Sequence, residues 1–370
     1  MAISRPVNDR RPVNGFSTNR LEFFDLGPEA VVDSALLFSE SDWHLCALDF
    51  KSRDAIFVNA KGGTHLYEAP FLYGELFLHA DKVMLVPFAE FLLLAEQAPE
   101  PEHIIHVLSI GRCGSTLAHH LFRNAPGVLS VSEPDTYIGL TMARFDLGEA
   151  ESCELLKACS RFHFAAGARR GDHTLVVKHH SQALFQAERF RAAHPAAKFV
   201  FMYRDGESWA NSLYRMTQSF GFPTVQDRNQ REMFWYILSA GQPPESVGPI
   251  VSMADENVQA DRWIAVLWAI HMIEYLRLWD IDFKMLAVNY RDLNTDRLPT
   301  VQRLFAFCGL ATDHLENVVT AFNEDSQAGT KLARDNKTAS FGPQNYQNFR
   351  DTLAKFDLIN SGDINLPSLV

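Results

Sequence analysis

The chain has 370 residues, which at about 150 residues per domain is one large domain with an appendage or two modest ones. Apolar residues make up 47 % and charged residues 21 %, a composition that supports a folded core and excludes wholesale disorder. The 34 basic and 45 acidic side chains leave a net charge of −11, which argues against a broad nucleic-acid-binding face.

Residues 1–20 are polar and are expected to form a flexible amino terminus without the apolar segment of a signal peptide. From 21 to 98, short β-like runs such as AIFVNA accompany one helical pattern, PFAEFLLLAEQ. This reads as an amino-terminal α+β segment of unassigned role. Pro99 and Pro101 then interrupt any helix and mark a boundary. Between them, Cys46, Cys113, Cys153, Cys159 and Cys308 form no CxxC and no repeated spacing, so neither a disulfide framework nor a zinc cage is expected. The longest strongly apolar helical run, Trp263 to Ile273, is too short to span a bilayer. A soluble, cytoplasmic protein is the expectation.

From 103 the rhythm changes. HIIHVLSI, GVLSVS, TLVVKHH, KFVFMY and FKMLAVNY alternate with helical patterns. Continuous apolar runs separated by helices predict a doubly wound, mainly parallel sheet in a three-layer αβα domain over 103–330. Residues 331–370 follow as a carboxy-terminal extension. In such folds, ligands bind outside the carboxyl ends of the strands, which directs attention to the strand tips.

The first tip, Gly111-Arg112-Cys113-Gly114-Ser115-Thr116, opens an apolar-periodic helix. Glycines bring backbone N–H groups close to an anion, and Ser115 and Thr116 add hydroxyls at a helix amino terminus. The kinase-type loop GxxxxGK[ST] is not satisfied, because Ser115 stands at the lysine position and Ser109 at the first glycine. A capped helix after a glycine turn is the alternative. At the end of TLVVKHH, strand alternation sends Lys178 and His180 to one side and His179 to the other. The pair offers a cation and a proton acceptor; a solvated strand end is the alternative. After KFVFMY comes Arg204, with Ser212 eight residues later. They could clamp one phosphate, or Arg204 could simply pair with Asp205.

At these residues the chain resembles the sulfotransferases that use 3′-phosphoadenosine 5′-phosphosulfate. IGRCGSTLAHHLF is similar to their 5′-phosphosulfate loop, FVFMYRDGESWANSLYRM to their 3′-phosphate segment, and VVKHH to the Lys-x-His of their catalytic strand. FKMLAVNYRDLNTDRLPTVQRLFAFCGL resembles their late strand and closing helix. The resemblance covers 103–310 in order. It implies that Arg112, Ser115 and Thr116, with backbone N–H groups from Cys113 through Gly114 to Thr116, hold the 5′-phosphosulfate. It further implies that Arg204 and Ser212 hold the 3′-phosphate and that Lys178 stabilises the bridging oxygen. His180 would take the acceptor's proton, or Glu133 of VSEPD, whose alternative is a turn carboxylate before Pro134, and no metal is expected. Leu117 replaces a common adenine-stacking Trp. The carboxy-terminal phosphate segment is not recognisable, with Arg334 and Lys337 as substitutes or as a basic tail.

The acceptor expected is a small or lipid-like hydroxyl or amine compound rather than an acidic polysaccharide. Part of the aromatic-rich stretch 214–280 could line its pocket or pack as core. An ATP-dependent phosphotransferase on the same loop and a non-catalytic nucleotide-binding module are the alternatives to sulfuryl transfer.

Overall fold

The computed structural model describes residues 2–11, 21–61, 63–221, 225–226, 229, 258–313, 315–325, 340–356 and 364–369. By internal contacts the chain divides into two compact units, one of residues 1–106 and 118–198, the other of 107–117 and 199–370.

The amino-terminal segment is an antiparallel sheet. Its strands are β1 (Ala2–Arg10), β2 (Phe24–Leu26), β3 (Ala30–Val32), β4 (Trp43–Asp49), β5 (Asp54–Ala60) and β6 (Ala80–Pro87), in the order β2-β1-β6-β5-β4 with β3 also on β1. Residues 2–10, expected to be flexible, are therefore a strand: Ile3 and Arg5 pair with Leu85 and Val83 of β6. Backbone pairing with a neighbouring strand orders this polar stretch without an apolar signal of its own. The β4–β5 turn is set by the Asp49 carboxylate, which accepts from the N–H groups of Lys51 and Ser52 at 2.8 and 3.3 Å, an Asx-type closure. Helices α1 (Leu36–Ser39), α2 (Leu72–His79) and α3 (Phe88–Ala95) complete the segment. Phe57 of β5 and Phe91 of α3 both pack on Phe162, with ring centroids 5.0 and 5.2 Å away.

The expected α/β region follows. Strands β7 (His103–Ser109), β8 (Val128–Ser132), β9 (Thr174–Lys178) and β10 (Lys198–Tyr203) appear where the apolar runs lie. Between them come α4 (Ser115–Arg123), α5 (Asp135–Met142), α6 (Glu149–Arg170), α7 (Ala187–Ala193) and, after β10, α8 (Gly206–Ser219). A two-residue pair, β11 (Val225–Gln226) with β12 (Val258–Gln259), precedes the long helix α9 (Ala260–Asp280) and β13 (Leu286–Asn289). Five strands form the sheet β13-β10-β7-β9-β8, parallel in the β8–β9 and β10–β13 registers. Every residue of β8, β9 and β13 is buried, as strands covered by helices on both faces must be.

One helical reading changes. QALFQAERFRAA is a 3-10 turn, Ser181–Gln186, followed by α7 rather than one helix. The 22-residue α6 carries no expectation from the sequence. Its buried positions include Ser152, Ser160, His163 and Gly167, so its inner face lacks a clean apolar stripe. Gly167 is needed there, because a Cβ would lie 2.8 Å from Leu129. No helix among the described residues is long and apolar enough to cross a membrane.

Candidate active site

The loop after β7 is held from several directions. Trp209 Nε1 donates to the Gly111 carbonyl at 2.8 Å, the Gly111 N–H donates to Ser109 Oγ at 3.2 Å, and Cys113 Sγ donates to the Met202 carbonyl at 3.2 Å. Gly111, Arg112 and Gly114 have φ of 67°, 50° and 82°, a left-handed path that bends the chain sharply. Gly114 has no substitute: a Cβ there would sit 2.6 Å from the Tyr290 ring. Ser115 and Thr116 begin α4 and are buried.

This path delivers Arg112 to Arg204 and Ser212. Arg112 Nε donates to Ser212 Oγ on α8 at 3.3 Å, and Arg204 Nη1 donates to the Arg112 carbonyl at 3.4 Å. Arg204 also donates to Ser208 Oγ at 2.9 Å and lies over the Tyr290 ring, 4.6 Å from its centroid. Asp205 does not form the alternative pair with Arg204. Its carboxylate accepts from Asn289 Nδ2 at 2.9 Å and pairs with Arg291 at 3.5 Å. Among the described residues, no carboxylate lies within ion-pair distance of Arg112 or Arg204. Burial, and then the neighbouring Arg204 charge, lower the Arg112 pKa; burial does the same to Arg204. Two partly dehydrated guanidiniums, two serine hydroxyls and a tyrosine face make a ready anion cradle.

A second cluster stands at the ends of β8 and β9. The Lys178 carbonyl accepts from the Glu133 N–H at 2.7 Å, and Glu133 has a left-handed φ of 52°, so backbone geometry aims its side chain. One Glu133 oxygen pairs with the buried Lys178 ammonium, and the other lies 3.2 Å from His180 Nδ1. Burial outweighs the Glu133 charge and pushes the His180 pKa down to about 4. His180 is thus neutral at pH 7. With a carboxylate facing Nδ1, the proton belongs on that nitrogen, leaving Nε2 as an acceptor. Nε2 is buried and has no hydrogen-bond partner among the described residues.

His179 points the other way, as strand alternation requires. Its Nε2 lies 2.8 Å from His106 Nδ1, and its ring stacks on Phe190 at 4.6 Å. It is a core residue. Glu133 and His180, alternatives in the sequence, belong to one cluster. Tyr290 and Asn289 of the first cluster, and Phe71 and Tyr73 beside the second, were not singled out in the sequence. For Tyr290 a signal existed, the YRDL turn after β13; for Phe71 and Tyr73 there was none. Leu117 is buried. Arg334, Lys337 and the run MFWYIL lie outside the described residues, whereas Trp263, Leu267, Trp268 and His271 of α9 are buried in the core. Among the described residues, no three His, Cys, Asp or Glu side chains gather as metal ligands.

No curated protein matches the chain. Among solved structures, it is similar to a sulfotransferase from Alicyclobacillus acidocaldarius at 15 % identity, covering 72 % of this chain and 98 % of that one, with a TM-score of 0.39. A mouse sulfotransferase complexed with PAP gives 12 % identity, coverage of 72 % and 88 %, and a TM-score of 0.39. Retinol dehydratase in complex with androsterone and inactive cofactor PAP gives 14 %, 75 % and 87 %, with a TM-score of 0.37. The decisive match is to a family model, the sulfotransferase domain, over residues 102–355. With well over half of its length inside that match, the chain belongs to the sulfotransferase family.

Proposed function

We propose that this sulfotransferase moves the sulfuryl group of 3′-phosphoadenosine 5′-phosphosulfate to a hydroxyl, or amine, of a small-molecule or lipid-like acceptor. The observation that carries the choice of donor is the meeting of Arg112, Arg204 and Ser212 with no carboxylate within ion-pair distance of either arginine among the described residues. Such a cluster favours a compact polyanion. Arg112, Ser115 and Thr116, with the loop N–H groups of Cys113 and Gly114, bind the 5′-phosphosulfate. Arg204 and Ser212 bind the 3′-phosphate.

Sulfuryl transfer is an in-line displacement governed by positioning and charge stabilisation, like phosphoryl transfer. The acceptor oxygen bonds to sulfur as the bond from sulfur to the bridging phosphate oxygen breaks. The acceptor's proton passes to His180 Nε2, the ring nitrogen without a partner among the described residues. Lys178 neutralises the charge that grows on the bridging oxygen, and adenosine 3′,5′-bisphosphate leaves. Glu133 orients both partners: it fixes the imidazole tautomer through Nδ1 and holds the Lys178 ammonium, as an orienting carboxylate does in other imidazole bases.

Thermal-shift titration tests the donor. Adenosine 3′,5′-bisphosphate should raise the Tm in a concentration-dependent way, and ATP with magnesium should not. Stabilisation by ATP–magnesium alone would move the reading to phosphoryl transfer.

A further inference from the structure

We infer that Phe71 and Tyr73, which lie outside the matched sulfotransferase domain, form an acceptor-selecting wall beside His180. The inference rests on the assignment of His180 and Glu133 to the proton-transfer step.

The family match begins at residue 102, yet the segment Gly63–His79, a 3-10 turn followed by α2, is fastened to the strand ends that carry the second cluster. The Pro70 carbonyl accepts from Ser132 Oγ, the last residue of β8, at 2.6 Å. The Glu68 carbonyl accepts from Arg123 Nη1 at 3.0 Å. Where α2 begins, the chain presents two aromatic rings, Phe71 just before the helix and Tyr73 in its first turn. Tyr73 lies 5.7 Å from the His180 ring, tilted by 34°. Phe71 lies 5.9 Å from Tyr73 and 5.8 Å from the Lys178 ammonium, within cation–π range.

The aromatic row Phe71–Tyr73–His180 therefore flanks the polar trio on one side. Both Phe71 and Tyr73 are half-buried. Tyr73 also stays a neutral phenol, because burial and the carboxylates of Glu133 and Asp135 raise its pKa. Apolar walls around a few convergent polar groups are the usual make-up of small-molecule sites. A hydroxyl compound whose body next to the reacting oxygen is apolar fits this wall. A polyol would leave its own hydroxyls facing ring carbon.

The test uses the full chain, the sulfated donor and four acceptor probes: 4-nitrophenol, 2-naphthol, 1-decanol and glucose. Tyr73→Ala should raise the KM for 2-naphthol and 1-decanol at least ~10-fold, the scale of a lost apolar contact in a specificity pocket. Tyr73→Trp should shift the kcat/KM ratio from 2-naphthol toward 4-nitrophenol by about 5-fold or more. Tyr73→Phe should keep the wild-type order of kcat/KM among the four probes, since the ring and not the hydroxyl selects. Bisphosphate affinity should stay unchanged in all three, and circular-dichroism melts confirm that each variant folds. Opposite size shifts in the Ala and Trp variants are a result that a purely structural Tyr73 would not give. Unchanged acceptor KM and ranking in both variants overturns the wall, as does a wild-type preference for glucose or bisphosphate binding without transfer to any apolar probe. Absence of bisphosphate binding in the wild type overturns the donor assignment itself.

Discussion

Around Arg112, two guanidiniums share their surroundings with serine hydroxyls and a tyrosine ring, and nearby Asp205 is occupied by Asn289 and Arg291. Around Lys178, one ammonium is matched at once by Glu133, whose other oxygen faces a neutral imidazole. The first cluster carries surplus positive charge and gains by acquiring an anion. The second is internally balanced and has one buried acceptor nitrogen without a partner among the described residues, so its use is to hold and move a proton. One protein can therefore be acidic overall and still grip a polyanion, because local rather than net charge governs contact-range binding.

The contrast can be broken from either side. The largest expected effect is on the proton step: His180→Ala should cost about 10²- to 10⁴-fold in kcat, the usual contribution of a general base, with bisphosphate affinity intact. Retained turnover in steady-state assays would remove His180 from that role. Lys178→Ala and Arg112→Ala should each cost ~100-fold or more in kcat/KM, the scale of one transition-state donor. Only the Arg112 variant should also weaken bisphosphate binding. Glu133→Gln keeps the shape but offers the wrong partner to Nδ1, and about a 10- to 100-fold fall in kcat is expected. Combining it with His180→Ala should add little beyond the single His180 change, because the two act as a unit. Full additivity would separate them.

Smaller effects concern the frame. Gly114→Ala forces a Cβ against Tyr290 at φ +82° and should lower stability by about 1–3 kcal/mol. An unchanged denaturation midpoint would show that the loop is softer than described. Acid should also weaken the protein before carboxylates titrate. Burial pushes His44 and His194 down to about 4 and His163 to about 3. With folded pKa values below the unfolded value near 6.5, the unfolded chain binds more protons in this window. The stability these histidines contribute is present above pH 6.5 and lost as pH falls toward 4, at up to ~1.4 kcal/mol per pH unit for each. Urea midpoints at pH 7 and 5.5 measure it; equal midpoints would contradict it.

How far these features could be read from sequence depends on their range. The strands β7 to β10 and β13 are continuous apolar runs, and the Arg112, Lys178 and Arg204 tips follow each run within a few residues, so local pattern revealed them. The union of Glu133 with His180 joins residues 47 positions apart through a parallel strand pair, which no local pattern encodes. The helix α6 hid because small and polar side chains interrupt the apolar ones on its buried face. Phe71 and Tyr73 sit in a segment whose pairing with β8 depends on one serine hydroxyl and a backbone carbonyl.

The most direct measurement is calorimetric titration of adenosine 3′,5′-bisphosphate into the wild type and the Arg112→Ala, Arg204→Ala and His180→Ala variants. Losing a charge-assisted contact should weaken binding ~10-fold or more in both arginine variants, while His180→Ala binds like the wild type. Equal affinity across all four proteins, or a loss confined to His180→Ala, would contradict the division of labour between the two clusters.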